Sequence, residues 1–188
     1  MSRRVCLMGQ LKESSLIVIN RCPDSLNRAN FRRSLKIQNP GAQLIFEDLN
    51  GNIIPHSAED LPYDVSGETI AIEDEDFGVW FVDAVEHPEF YDHKIIEFKA
   101  QTIQPKQLPD NVFVPVRQIM TCCADDVGLY GYPCKMREII PIEKMQWVKI
   151  KARVLYPEIP DDPEVQPALF LIAMEKTEAP EKEIVYMV

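Results

Sequence analysis

The stretch whose reading decides the fold is ETIAIEDEDFGVWFVDAVEHPEFYDHKIIEFKAQTI, residues 68–103. It opens with ETIAIE (68–73), a short run rich in isoleucine and threonine that reads as a strand. The period then changes. Phe77, Trp80, Phe81, Ala84 and Val85 recur at i, i+3, i+4, i+7 and i+8, which is one face of an α-helix. Asp74 or Asp76 is placed to cap its start by accepting backbone N–H bonds, and Pro88 limits how far it runs. Strand chemistry returns in HKIIEFKAQTI (93–103). A short amphipathic helix laid on a sheet is therefore expected, with Trp80 in the core rather than presented as a stacking platform.

The same strand pattern extends in both directions. SLIVI (15–19), QLIFE (43–47), NVFVPVRQIM (111–120), QWVKIKARVL (146–155), ALFLIAME (168–175) and a short IVYM (184–187) all read as strands. Asn50–Gly51 is a favoured pair for a tight hairpin turn, so a hairpin is expected between Leu49 and Ile53. Pro115 has no N–H to give to a ladder, which predicts an edge strand or a bulge at that point. QPKQLPDN (104–111) and YPEIPDDPEVQP (156–167) read as loops stiffened by proline. Many short strands with one helix predict a mainly β fold: an OB-like antiparallel barrel with one short amphipathic helix, plus an N-terminal β-rich extension. The division falls near PYDVSG, giving a basic extension at 1–65 and a barrel domain at 66–188.

The chain has 188 residues, 46% of them apolar and 27% charged, enough to bury a core. No run approaches the about 18 apolar residues that a membrane-spanning helix needs, and the first residues lack a secretory signal pattern. The net charge of −10 is unevenly spread. Residues 1–40 hold Arg3, Arg4, Lys12, Arg21, Arg28, Arg32, Arg33 and Lys36 against Glu13 and Asp24 alone, a balance of +6 that leaves −16 on the rest. These cations are scattered among apolar residues rather than clustered. They read better as a segment packed on the acidic body, of the same chain or of a second copy in a homo-oligomer, than as an arm for nucleic acid. Five cysteines, Cys6, Cys22, Cys122, Cys123 and Cys134, cannot all pair within one chain. Free thiols point to a reducing compartment, cytoplasmic by default.

The chemistry-bearing candidate is RQIMTCCADDVG, residues 117–128. In a regular strand Cys122 and Cys123 point to opposite faces, so one metal takes both only if the chain turns at 122–126. Cys122, Cys123 and Asp126, with Cys134 or a water as fourth ligand, then make a site for zinc or another soft metal. The spacing itself is not a standard zinc pattern. A reactive-thiol reading needs positive charge nearby, and Asp125 and Asp126 oppose it. The plainer reading makes both cysteines small buried core residues, with Asp126 capping the turn and pairing with Arg117. His56, His87 and His93 share no ligand spacing, and His87 is expected at the helix end, against the C-terminal dipole. No phosphate-cradling glycine loop and no nucleophile elbow is present, so the chain is expected not to be an enzyme.

The ordered series of pieces resembles a known family. Asp76 and Phe77 before the helix, Pro88, Glu89, Tyr91 and Lys94 after it, then Arg117, Cys122, Cys123, Ala124 and Asp126, and finally Trp147 and Val148, are similar to the soluble C-terminal region of the YcgQ-type proteins. Their signature reads R-x-x-x-x-C-C-A-A-D. Here Asp125 replaces the second alanine, and the membrane-spanning helices that usually begin family members are not seen in this sequence. The resemblance implies an accessory or ligand-binding module of a permease-type membrane system, reaching the membrane through that partner. A single-stranded nucleic-acid binder is the alternative that an OB barrel suggests, and the acidic balance of the barrel disfavours it.

Overall fold

The computed structural model describes residues 14–28, 42–120, 127–157 and 166–186, together with Leu11, Phe31, Arg32, Leu35 and Asn39. Two sheets form. The smaller joins β1 (Leu16–Cys22), β2 (Gln43–Asp48) and β3 (Ile53–Ile54) in that order. β1 and β2 run parallel, while β2 and β3 are antiparallel and joined by the expected hairpin. That turn is held by Asp48 Oδ1, which accepts the backbone N–H groups of Asn50 and Asn52 at 2.8 Å each. Gly51 supplies the left-handed residue, at φ +86°. Ile17, Cys22, Ala42, Leu44 and Phe46 make a small core of their own.

The larger sheet contains β4 (Thr69–Ala71), β5 (Ile95–Ile103), β6 (Val112–Met120), β7 (Val127–Tyr130), β8 (Cys134–Lys135), β9 (Trp147–Leu155), β10 (Ala168–Lys176) and β11 (Ile184–Tyr186). Five of these close a barrel in the order β5-β6-β8-β10-β9 and back to β5. Numbered along the chain, the barrel strands run 1-2-3-5-4, the order of an OB barrel. The pairs are antiparallel except β8 with β10, which is parallel. Alternation does what the sequence implies: in β5, Ile96, Phe98 and Ala100 are buried, while Glu97 turns outward to Lys149 and Lys151 of β9.

A 3-10 turn (Asp74–Asp76) leads into helix α1, Phe77–Glu86. Phe77, Trp80 and Ala84 pack on the barrel core as the periodicity predicts, but Val85 is exposed and Asp83 is buried in its stead. Asp76 makes no side-chain cap bond, because the chain enters α1 already helical there (φ −94°, ψ −3°). Asp74 is turned instead toward Arg117. Both departures bear on function below.

Pro115 is also not on an edge. β6 pairs with β5 on one side and with β8 and then β7 on the other. Pro115 sits opposite Thr102, where the second neighbour changes from β8 to β7. In that break Gly131 approaches so closely that a Cβ would lie 2.0 Å from the Pro115 carbonyl oxygen and 3.2 Å from Val116 Cα. Backbone atoms cannot swing aside. Gly131→Ala is expected to cost about 3 kcal/mol, the upper range for overpacking. Urea unfolding reads this directly, and a loss under about 1 kcal/mol contradicts the tight crossing.

Candidate functional site

Cys122, Cys123, Asp125 and Asp126 fall in 121–126, outside the described residues. Their predicted companions are placed. Cys134 lies on β8 opposite Phe113 and beside Leu169, fully buried, and burial pushes its thiol up to about 12. Ligation as a thiolate works against that burial. Arg117 is also fully buried. Its Nη1 donates to Asp74 Oδ1 at 3.1 Å and to the Lys99 carbonyl at 3.3 Å, and its Nη2 to the Lys182 carbonyl at 3.0 Å. The rings of Trp147 and Phe77 flank the guanidinium at 5.2 and 5.9 Å. Desolvation lowers its pKa, opposed chiefly by the Asp74 charge, and an arginine starts high enough to remain a cation. Arg117 is thus a structural tie among the start of the helical segment, β5 and the C-terminal strand.

The side-chain cluster best suited to binding lies elsewhere, between the small sheet and α1. Pro55 follows β3, and the 3-10 turn Ala58–Asp60 begins at Ser57, whose N–H is accepted by Asp60 Oδ2 at 2.9 Å. That turn presents His56 to α1. Asp83 and His87 are four residues apart, hence on one face of the helix end, and Pro88 starts the next 3-10 turn, Pro88–Phe90. His56 Nε2 lies 2.8 Å from Asp83 Oδ1. The two imidazoles stand 4.6 Å apart, ring centre to ring centre, and His87 also stacks on Phe90 at 5.4 Å.

Asp83 is held from behind. Its Oδ2 accepts the Tyr91 hydroxyl at 2.6 Å, and Tyr91 in turn meets the Tyr63 hydroxyl at 2.9 Å. Desolvation raises both phenols far above their ordinary range, so both stay protonated and Tyr91 serves as the donor. On the outer side His56 Nδ1 faces Asp60 Oδ2 at 3.7 Å. Asp60 is also the partner of Arg28, whose Nε lies 2.5 Å from its Oδ1.

These groups border a cavity of about 460 Å³, whose wall includes Arg32, Phe46, Ile54, His56, Asp83 and His87. Arg32 lies over the Phe46 ring at 5.4 Å, and its buried Nε has no hydrogen-bond partner among the described residues. Desolvation lowers its pKa, while the charges of Asp60, Asp83 and Glu86 oppose the shift. Of the basic N-terminal residues, the described Arg28 and Arg32 lie beside acidic groups of their own chain, Arg28 on Asp60 and Arg32 near Asp60, Asp83 and Glu86.

The chain-spacing test missed His56 and His87 because they come from separate segments. The readable signal was Asp83-x-x-x-His87 on a helix end, with Asp83 one position off the apolar stripe. His93 is not part of the group; its side chain is 77% exposed.

The closed five-strand order defines an OB-type barrel domain, with a cleft of mixed apolar and charged lining on its helix side. Within that class, residues 55–187 match the DUF1980 C-terminal domain, and the chain belongs to that family. The match takes in His56, Asp60, Asp83 and His87 and stops short of Arg28 and Arg32. No curated protein matches. Among solved structures, the chain is similar to one assigned as an aspartyl-tRNA synthetase from Leishmania major Friedlin, at 12% identity and a TM-score of 0.34. That likeness covers 56% of this chain and 20% of the other, and it is too slight to carry an argument. No helix among the described residues is long and apolar enough to cross a membrane.

Proposed function

We propose that the chain is a non-enzymatic binding module, the accessory part of a permease-type membrane system, and that the cleft between its small sheet and α1 is the binding site. One observation carries the reading. A buried carboxylate, Asp83, is aimed at a solvent-sized cleft and oriented there by Tyr91 and Tyr63. Tyr91 and His56 offset the cost of removing this carboxylate from water, and they hold it in a fixed orientation at the cavity wall, where a ligand can meet it. The permease partner rests on the resemblance of the helix, double-cysteine and Trp147 segments to YcgQ-type proteins. A reducing, cytoplasmic setting suits the cysteine usage.

A second reading places a soft metal on Cys122, Cys123 and Asp126. The signature spacing after Arg117 favours it, while the burial of Cys134 argues for a water as fourth ligand. A nucleic-acid role finds little support on the β5–β9 face, where Lys149 and Lys151 are engaged by Glu97 at 3.6 and 2.8 Å.

The module reading is tested by co-expressing the full chain with a permease-type membrane protein encoded in the same genome and purifying from detergent-solubilised membranes. Wild type is expected to be retained on the permease, and a Glu86→Lys/Asp83→Asn variant, folded by circular dichroism, to be retained at least tenfold less. Equal retention of both, or none above a detergent-only control, counts against the reading.

A further inference from the structure

We propose that the cleft binds a divalent first-row transition-metal ion of the zinc type on His56, Asp83 and His87. This rests on the cleft being the binding site and names its ligand. The three side chains bring one ligand atom each to within 4.8 Å of one another. They arrive from two directions, His56 from the turn after β3 and the other two from the end of α1.

The stronger observation is what stands behind each ligand. His56 Nδ1 faces Asp60 Oδ2 at 3.7 Å, Asp83 Oδ2 accepts from Tyr91 at 2.6 Å, and His87 Nδ1 lies 3.3 Å from Glu89 Oε1. Asp83 Oδ2 and His87 Nδ1 are thereby engaged and the Asp60 carboxylate stands near His56 Nδ1, while His56 Nε2 and Asp83 Oδ1, which meet at 2.8 Å, stand with His87 in one group. Metal-bound histidines and carboxylates are held in this way, because an outer partner fixes the tautomer and the ring orientation. A merely structural His56–Asp83 bond calls for no second imidazole beside it with its own carboxylate behind.

Geometry permits the ion. With metal–ligand bonds of about 2.0–2.1 Å, ligand atoms around a tetrahedral zinc stand about 3.3 Å apart. The spacing here runs from 2.8 Å between His56 Nε2 and Asp83 Oδ1 up to the 4.8 Å limit of the group, so side-chain rotation brings the set to that value. The ion takes the place of the hydrogen between His56 Nε2 and Asp83 Oδ1, and the bound imidazole carries its one N–H on Nδ1, on the side of Asp60.

The ligand types narrow the choice. Two imidazoles and one carboxylate suit zinc, iron, cobalt or nickel, whereas calcium and magnesium take oxygen ligands. Three protein ligands also leave a coordination position open toward the cavity.

The test uses the full chain carrying Cys122→Ser/Cys123→Ser, stripped with chelator, then titrated with Co²⁺ and back-titrated with Zn²⁺. We expect one equivalent of Co²⁺ with ligand-field bands and no thiolate charge-transfer band, displaced by one equivalent of Zn²⁺. His56→Gln and His87→Gln each lower the affinity by about 100-fold or more, and Tyr91→Phe by about 10-fold, the lower end of the range for partners behind a ligand. Circular dichroism and the thermal midpoint establish that each variant is folded, and His87, on the rim, is the substitution least able to disturb the core. A folded Cys-free protein that takes up no Co²⁺, or uptake unchanged in both histidine variants, overturns the proposal. If uptake fails while retention on the permease persists, the metal assignment falls and the module reading stands; loss of retention with uptake intact does the reverse.

Discussion

Trp80→Ala is expected to cost about 3–5 kcal/mol, the range for deleting a large buried aromatic. Trp80 is fully buried, and its ring meets Phe98 at 5.1 Å, Phe77 at 5.3 Å and Tyr132 edge-on at 5.5 Å. Its environment is a closed barrel wall on one side and its own helix on the other, so little can collapse into the gap. The cost is one of packing and not of hydrogen bonding, since Trp80 Nε1 has no partner among the described residues. Trp80→Phe should therefore be far milder, about 1–2 kcal/mol, because it keeps most of the apolar contact and gives up no bond. Urea unfolding followed by circular dichroism separates the two. A consequence for the cleft follows: Asp83 and His87 ride on the same helix, so ligand uptake should fall with α1 docking in the alanine variant. A loss below about 1 kcal/mol for Trp80→Ala contradicts the placing of α1 on the core.

Arg117→Ala is expected to be comparably severe, about 3–5 kcal/mol. The reason is not chiefly the ion pair. Asp74 is 34% exposed, and a partly solvated pair contributes about 1 kcal/mol or less. The larger loss comes from the Lys99 and Lys182 carbonyls left without a donor, and from the space vacated between Trp147 and Phe77. Asp74→Ala should consequently cost about 1 kcal/mol and the double variant little more than Arg117→Ala alone. Lysine does not substitute well, because it cannot reach an aspartate and two carbonyls in one plane as a guanidinium does. If Asp74→Ala proved as costly as Arg117→Ala, the electrostatic account would have to replace this one.

Much of the fold was readable because it obeys a period. IIEFKAQTI and WVKIKARVL alternate, and burial alternates with them over Ile96–Ala100 and Val148–Val154. The spacing of Phe77, Trp80 and Ala84 likewise places α1 on the core. The strands that escaped notice are β7 and β8, of four and two residues, which are too short for any period and are held by their neighbours, β7 by β6 and β8 between β6 and β10. Pro115 misled for a related reason: a missing N–H matters only if that position must donate, and here the neighbouring strand changes beside it.

The site was less legible. Arg117 and Cys134 were singled out, and both are buried structural groups, one a tie and the other a core thiol. The cleft histidines carry no linear motif, because the hairpin after β2 and the end of α1 meet only in the folded chain. What betrays them is a buried aspartate on a helix whose apolar stripe does not need it. Asp83 runs against the pattern, and a residue that does so while remaining fully hydrogen-bonded marks the place to look for function.

The most direct measurement is anomalous scattering at the zinc edge from crystals of the full chain grown without affinity metal and soaked in Zn²⁺. The account predicts a peak bounded by His56 Nε2, Asp83 Oδ1 and His87 Nε2, with Tyr91 still bonded to Asp83 Oδ2. A cleft without such a peak, with zinc found only on Cys122 and Cys123, would contradict it.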